Sequence, residues 1–329
     1  MMAAPIKILS LGGLPASVED ALAERFPVYR EAALPPEPFF AAHGAEIAAI
    51  VTRGRVPVTA ALIKQLPNLE IVANFGVGYD SIDVEAAIAR RIVVTNTPDV
   101  LNDEMADFTI GLLLATIRRL PQADRFVRSG LWAEGGAFPL SATLRGRTVG
   151  IVGMGRIGKV IAKRLGGFDV PIAYHSRRKQ PDVEYPYFAE LRALAEAVDT
   201  LIVVLPGGPA TRGIIDAEIL KALGPNGVLI NVARGSVVDE PALIHALEGR
   251  AILAAGLDVF AREPKVPASL IEMGQVVLLP HIGTATNHTR NLMGQLVVQN
   301  IVSWFDDCGP ITAVPEITQA LGHQLRRPV

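Results

Sequence analysis

Thr148-Val149-Gly150-Ile151-Val152-Gly153-Met154-Gly155-Arg156-Ile157-Gly158 runs from a buried apolar strand into a glycine-punctuated turn and on into a helix. A dinucleotide would sit at this turn. Gly153 allows the tight turn, Gly155 lets backbone amides approach a pyrophosphate, and Gly158 lets the following helix pack closely, with the phosphates at the helix N-terminus. The first residues of that helix, Arg156 and Ile157, belong to the same expected cofactor-binding group. A G-x-G-x-x-G string alone can be only a turn; the apolar strand 149–152 before it and the amphipathic segment 157–165 after it supply the context.

The next strand is more informative than the glycines. An NAD-binding unit usually carries an Asp or Glu about 20 residues on, where it accepts hydrogen bonds from the ribose 2′-hydroxyl. That acid is missing. Val170-Pro171-Ile172-Ala173-Tyr174-His175 leads instead into Ser176-Arg177-Arg178-Lys179, a hydroxyl and three cations. In another setting this would be a solvated loop; after a nucleotide turn it suits a 2′-phosphate. NADPH is the expected cofactor, with NADH weaker.

A chain of 329 residues, half of them apolar, has room for two domains and a large core. Thirty-one Lys plus Arg against 33 Asp plus Glu leaves a net charge near zero and no nucleic-acid footprint. The single Cys308 cannot form an intramolecular disulfide, as expected for a reducing cytoplasm. Residues 1–5 show no signal-peptide architecture, and no apolar run approaches the roughly 20 residues of a membrane span.

Strand-like and helix-like segments alternate from end to end, the signature of doubly wound α/β architecture. Strands are expected at 6–12, 48–52, 69–75 and 92–95, with helices at 18–26, 59–65 and 84–91 and a proline-rich loop at 34–40. A long helix is expected at 102–120, opened by Asn102-Asp103-Glu104. Strands at 171–175, 201–205, 227–231, 254–257 and 276–279 then follow the nucleotide strand, and a last long helix spans 284–305. Because the glycine turn comes at residue 153, a complete α/β unit precedes the nucleotide domain, and the last helix is long enough to cross back to it. The expected fold is therefore α/β, with two doubly wound parallel-sheet domains. A Rossmann-type nucleotide domain (99–286) is inserted into a discontinuous, flavodoxin-like substrate domain (1–98 and 287–329).

In such sheets ligands lie at the carboxyl ends of the strands, so polar residues just past strand ends are the catalytic candidates. Arg234 stands in Asn-Val-Ala-Arg-Gly, Glu263 in Ala-Arg-Glu-Pro, and His281 directly after Leu278-Leu279-Pro280. Singly, each has a bland account as a loop Arg, a turn Glu or a strand-capping His. Jointly they fit reduction of a 2-keto acid. Arg234 can grip the carboxylate and polarise the keto oxygen, His281 can give that oxygen a proton, and Glu263 can hold the imidazole and favour its charged form. Pro206, Thr211, Val232 and Ala233 complete the expected cofactor contacts. No metal site is expected.

Asn96-Thr97-Pro98, the glycine turn, Asn231-x-x-Arg234-Gly235, Gly256-x-Asp258-Val259-Phe260-x-x-Glu263-Pro264 and Pro280-His281-Ile282-Gly283-x-Ala285-Thr286 occur in that order over nearly the whole chain. This series resembles the signatures of the D-isomer-specific 2-hydroxyacid dehydrogenases. The resemblance implies catalytic roles for Arg234, Glu263 and His281 and a homodimer built largely on the nucleotide domains. It also implies that Asp258 contacts the nicotinamide amide and that the backbone amides at Val77-Gly78 hold the substrate carboxylate.

Within that family, Tyr174-His175-Ser176-Arg177-Arg178 is similar to NADPH-preferring glyoxylate/hydroxypyruvate reductases and to hydroxyphenylpyruvate reductases. Leu131-Trp132 resembles a branch in which a Trp reaches towards the partner's pocket, although a Trp there also reads as an ordinary packing anchor. His281 at the proton-donor position argues against formate dehydrogenase, and the late glycine turn against S-specific lactate and malate dehydrogenases. By analogy with the family Arg53 borders the substrate pocket, and Arg53 or Arg55 meets a second anionic group or faces solvent. The expected substrates are small keto acids, glyoxylate and hydroxypyruvate first, then an aryl pyruvate such as hydroxyphenylpyruvate. A nicotinamide-sensing corepressor of the same fold is the non-enzyme alternative.

Overall fold

The computed structural model describes residues 6–322 and residue 325. Residues 1–5, where no signal segment is expected, lie outside the described residues. The chain divides into two compact units, Met1–Leu101 with Ala285–Val329, and Asn102–Thr284.

The first unit begins β1 (Lys7–Leu11), α1 (Ala16–Ala23), β2 (Val28–Glu31), α2 (Glu37–His43), β3 (Ile47–Thr52), α3 (Ala60–Lys64), β4 (Ile71–Asn74), α4 (Val84–Ala89) and β5 (Val93–Thr95). Its sheet has the order β2-β1-β3-β4-β5, and every pairing is parallel. This is the flavodoxin-like order. Every residue of β3, β4 and β5 is buried, which explains why these segments read as unbroken apolar runs and not as alternating ones.

Two elements here depart from the sequence expectation. Residues 34–40 are not all loop, because α2 starts at Glu37 with Pro36 as its cap and Pro38 in its first turn. Proline is harmless there, since the first amides of a helix have no intrahelical acceptor. The unforeseen β2 is a short edge strand, Val-Tyr-Arg-Glu, without a buried residue to mark it.

The second unit runs α5 (Asn102–Arg118), α6 (Leu120–Arg128), β6 (Val149–Val152), α7 (Arg156–Leu165), β7 (Ile172–His175), β8 (Tyr187–Phe188), α8 (Leu191–Ala197) and β9 (Thr200–Val203). It continues α9 (Ala217–Leu223), β10 (Val228–Asn231), α10 (Glu240–Glu248), β11 (Ala254–Leu257), α11 (Ala268–Glu272) and β12 (Val276–Leu278). The order β12-β11-β10-β9-β6-β7-β8 is again wholly parallel. Ile151 of β6 pairs with Tyr174 of β7 on one side and Ile202 of β9 on the other, so the glycine turn after β6 lies where the winding reverses. Ligands bind at such a switch point.

The long helix expected to reach residue 120 stops at Arg118, because Arg119 adopts a left-handed conformation (φ 54°) and Pro121 opens α6. Arg164 of α7 clamps onto α5 through Asp103 (2.7 Å) and Asp107 (2.6 Å). The chain ends with α12 (Asn287–Phe305) and α13 (Pro315–Leu321) in the first unit. α12 starts three residues later than expected because the Thr286 hydroxyl caps it, accepting from the Thr289 amide at 3.2 Å. Among the described residues no helix is long and apolar enough to cross a membrane, and no group of His, Cys, Asp and Glu could hold a metal ion.

Candidate active site

In the second unit, Gly153 has φ 109°, and a Cβ there would press on the backbone of Val204 and Leu205. A Cβ on Gly158 would overlap the Gly153 carbonyl, so the third glycine is required by close approach of helix to turn. Around Gly155, by contrast, a Cβ would meet nothing within 4 Å. Gly155 caps α7 and offers no side-chain acceptor, so the Ile157 amide in the first turn can meet an external anion. The turn therefore fits a dinucleotide.

The loop after β7 is organised by its own polar groups. Ser176 Oγ donates to the Arg178 carbonyl (2.7 Å), and the Gln180 amide donates to the Tyr174 hydroxyl (2.9 Å). Arg177 and Arg178 are exposed, and among the described residues neither guanidinium has an ion-pair or hydrogen-bond partner. Two unpaired cations at the end of the strand beside the glycine turn fit a 2′-phosphate. Past β9, Thr211 Oγ1 donates to the Pro206 carbonyl at 2.8 Å and ties that loop back on itself. Val232 and Ala233 bury their side chains, so only their backbone can face a ligand.

Asn231, at the end of β10, shapes the loop beyond that strand. Its Oδ1 accepts from the Ala233 amide (3.0 Å), while its Nδ2 donates to the Arg234 carbonyl (3.1 Å). Gly235 comes next, and a Cβ there would overlap the Phe260 carbonyl, so the loops after β10 and β11 lie flush. Arg234 Nη1 donates to the Ala233 carbonyl at 2.8 Å.

His281 Nδ1 lies 2.7 Å from Glu263 Oε2, and Glu263 Oε1 accepts from the Phe260 amide at 3.2 Å. His281 is about half exposed, and among the described residues its Nε2 has no partner. Burial pulls the Glu263 carboxyl upward; the His281 hydrogen bond and charge, the Phe260 amide and the Arg234 guanidinium outweigh it and hold the group below its ordinary range. Arg234, Glu263 and His281, scattered in sequence, thus form one electrostatic cluster. Asp258, buried at 2% exposure, accepts from the amides of Ile282 (2.8 Å) and Gly283 (3.0 Å), and its carbonyl accepts from the His281 amide (2.9 Å). Burial raises its carboxyl, against the pull of those two amides. Both carboxylate oxygens are engaged in holding the His281 loop, which takes the backbone through φ 56° at His281.

The residue range 110–283 matches the family model for the D-isomer-specific 2-hydroxyacid dehydrogenase NAD-binding domain. Hydroxyphenylpyruvate reductase of Plectranthus scutellarioides is 45% identical over 311 residues, 94% of this chain and 99% of the relative. The chain belongs to the D-isomer-specific 2-hydroxyacid dehydrogenases. Glyoxylate/hydroxypyruvate reductase A of Arabidopsis thaliana is 44% identical over 310 residues, 94% of this chain and 99% of the relative. The fold agrees: an NADPH-dependent glyoxylate/hydroxypyruvate reductase of Sinorhizobium meliloti, solved with NADP and malonate, superposes with a TM-score of 0.92 at 47% identity, covering 99% of this chain and all of that one. The chain is thus a nicotinamide-dependent 2-ketoacid reductase.

In the enzyme's first unit, Val77 and Gly78 follow β4. Their amides donate to no group among the described residues, whereas the carbonyls of Gly76, Val77 and Gly78 all accept hydrogen bonds. Arg53, past β3, donates to the Gly13 carbonyl at 3.0 Å. Sequence reasoning missed Arg290 of α12. It lies over the Phe75 ring at 5.5 Å, with its guanidinium pushed down by burial and by the charge of Arg55. Arg53 is pushed down likewise, by burial and by Arg55 and Arg290. Among the described residues none of the three guanidiniums has an acidic partner. The signal was present, since Arg290 falls on the inner stripe of a periodic helix, but a helical Arg has no marker that separates a ligand-facing one from a solvated one.

Proposed function

We propose that this dehydrogenase reduces small, polar 2-keto acids, glyoxylate and hydroxypyruvate first, with NADPH preferred over NADH. The observation that carries the cofactor choice is the loop after β7, where an acid for a ribose diol is replaced by two exposed, unpaired arginines. NADPH, when bound, supplies the hydride that adds to C2. The chain's own groups do the rest.

Arg234 grips the substrate carboxylate and draws charge from the keto oxygen, as its planar fork allows. His281, with Nδ1 against Glu263 at 2.7 Å, presents Nε2 as the donor and gives the nascent alkoxide its proton. Glu263 fixes the ring and balances its charge. In the reverse direction the neutral imidazole takes the hydroxyl proton, so oxidation favours higher pH. The free amides of Val77 and Gly78 hold a carboxylate, and the Asp258 oxygens keep lone pairs for the nicotinamide amide. Arg53, Arg55 and Arg290 line the first unit with cationic rather than apolar surface, which favours hydroxypyruvate over an aryl pyruvate.

The same proposal makes the enzyme a cytoplasmic homodimer. Leu120, Val127, Leu131, Trp132 and Leu140 are all exposed within one stretch of the second unit, and exposed apolar side chains of this kind suit a subunit interface. Initial rates of NADPH and NADH oxidation with glyoxylate, hydroxypyruvate and 4-hydroxyphenylpyruvate test the substrate and cofactor together. A higher kcat/KM with NADH, or with the aryl substrate, overturns the corresponding half.

A further inference from the structure

Among the described residues, the turn after β4 leaves the amides of Val77 and Gly78 without acceptors while the carbonyls of Gly76, Val77 and Gly78 are all occupied. Asn74, 1% exposed at the end of β4, donates from Nδ2 to the carbonyls of both Gly76 (3.0 Å) and Gly78 (3.1 Å). Asn96, buried after β5, donates from Nδ2 to the carbonyl between them, that of Val77, at 2.9 Å. The Thr97 amide adds a second donor to the Gly76 carbonyl at 3.0 Å. The Asn96 carbonyl is itself held by Thr312 Oγ1 at 2.7 Å.

A peptide plane carries its N–H and its C=O on opposite edges. Drawing the carbonyls of Gly76 and Val77 towards the buried asparagines therefore turns the N–H groups of Val77 and Gly78 the other way. Successive amides turned to one side form an anion-binding concavity. Among the described residues each Nδ2 donates to these carbonyls alone, and Asn74 Oδ1 is buried with no hydrogen-bond partner. Leaving that oxygen unmatched costs free energy, so the donor half of Asn74 must offset it.

We infer that Asn74 and Asn96 are positioning residues for substrate binding: they pin the carbonyls of residues 76–78 and so aim the Val77 and Gly78 amides at the carboxylate of the keto acid. This rests on the proposed reduction of 2-keto acids. Neither side chain touches substrate; both act through the turn.

Asn74→Ala and Asn96→Ala, assayed in the full-length enzyme, should each raise KM for glyoxylate by about tenfold or more, the worth of one charge-assisted hydrogen bond, with a smaller change in kcat. The Kd for NADPH, read by fluorescence, should stay within about twofold of wild type, well below that loss. Amide NMR of the wild-type protein with oxalate provides an arm that needs no variant. The Val77 and Gly78 amide protons should move on oxalate addition, together with the side-chain NH2 signals of Asn74 and Asn96. Folded variants with a wild-type KM, an equal loss of NADPH affinity, or asparagine signals that ignore oxalate while the two amides respond would overturn the inference. A wild-type enzyme without glyoxylate reduction, whose Val77 and Gly78 amides ignore oxalate, would instead defeat the functional proposal beneath it.

Discussion

Glu263→Gln is a nearly isosteric change with a defined conflict built in. Both Glu263 oxygens are in use, one accepting from the Phe260 amide at 3.2 Å and the other facing His281 Nδ1 at 2.7 Å. Glutamine has one oxygen and one NH2, so it can satisfy one partner and must oppose the other. If its oxygen stays with Phe260, its NH2 faces Nδ1 and favours the neutral ring. A charge-assisted bond of this kind is worth about 1.5–3 kcal/mol, but both groups are partly in water, and screening brings the figure to roughly 1 kcal/mol. That corresponds to about a fivefold loss of kcat/KM for glyoxylate reduction on the basic side of the profile, so the basic limb should move to lower pH. A linked stability change has its own sign. The Glu263 carboxyl sits below its ordinary range, so its contribution to folding is complete above the unfolded-state pKa and disappears as pH falls through the lowered value. The variant should melt below wild type near neutrality, with the gap closing in acid. Rate profiles recorded alongside melting curves at matched pH decide the case, and a basic limb that stays in place refutes the pairing.

Neutralising both Arg177 and Arg178 should raise KM for NADPH by about tenfold or more while leaving that for NADH nearly unchanged, since each charge-assisted contact to a phosphate is worth roughly 1.5–3 kcal/mol; equal losses for both cofactors would place the two arginines elsewhere. Gly235→Ala must push the loop after β10 off the Phe260 carbonyl, so denaturant unfolding should show a loss of about 1–3 kcal/mol together with reduced turnover, and a variant of wild-type stability contradicts the flush packing of the two loops. In the first unit, hydrogen bonds from Lys7, then Tyr29 and His43, hold the Glu46 carboxyl down at about 2; its pairing persists until pH falls through that value, and Lys7→Met should raise its midpoint in a carboxyl-carbon NMR titration, whereas an ordinary midpoint in the wild-type protein would show that Lys7 does not hold it.

The buried strands and the groups just beyond them could be read from sequence because parallel strands announce themselves as apolar runs and their ends are marked by glycine, asparagine and charge. Arg234, Glu263 and His281 are legible as candidates in this way. What escaped has physical causes. The edge strands β2 and β8 bury little and so carry no hydrophobic signal. The break at Arg119 rests on one left-handed residue that sequence does not mark. Asp258 stands out by type, yet its grip on the Ile282 and Gly283 amides depends on two loops meeting. Asn74 and Asn96 are the extreme case, since an asparagine at a strand end is common and only the three-dimensional count of donors and carbonyls separates these two from ordinary turn formers.

The sheet order of the second unit has an evolutionary corollary. β7, whose trailing loop carries the cationic pair, lies on one flank of β6, while β10, β11 and β12, which deliver Arg234, Glu263 and His281, lie on the other. Under the proposed cofactor and proton-donor roles, mutations in the 176–180 loop would retune which nicotinamide pool the enzyme draws on and leave Arg234, Glu263 and His281 across the sheet undisturbed. A lineage could drift between metabolic roles that demand different reductants by altering a handful of solvent-facing codons, leaving the costly, tightly interlocked half of the domain untouched.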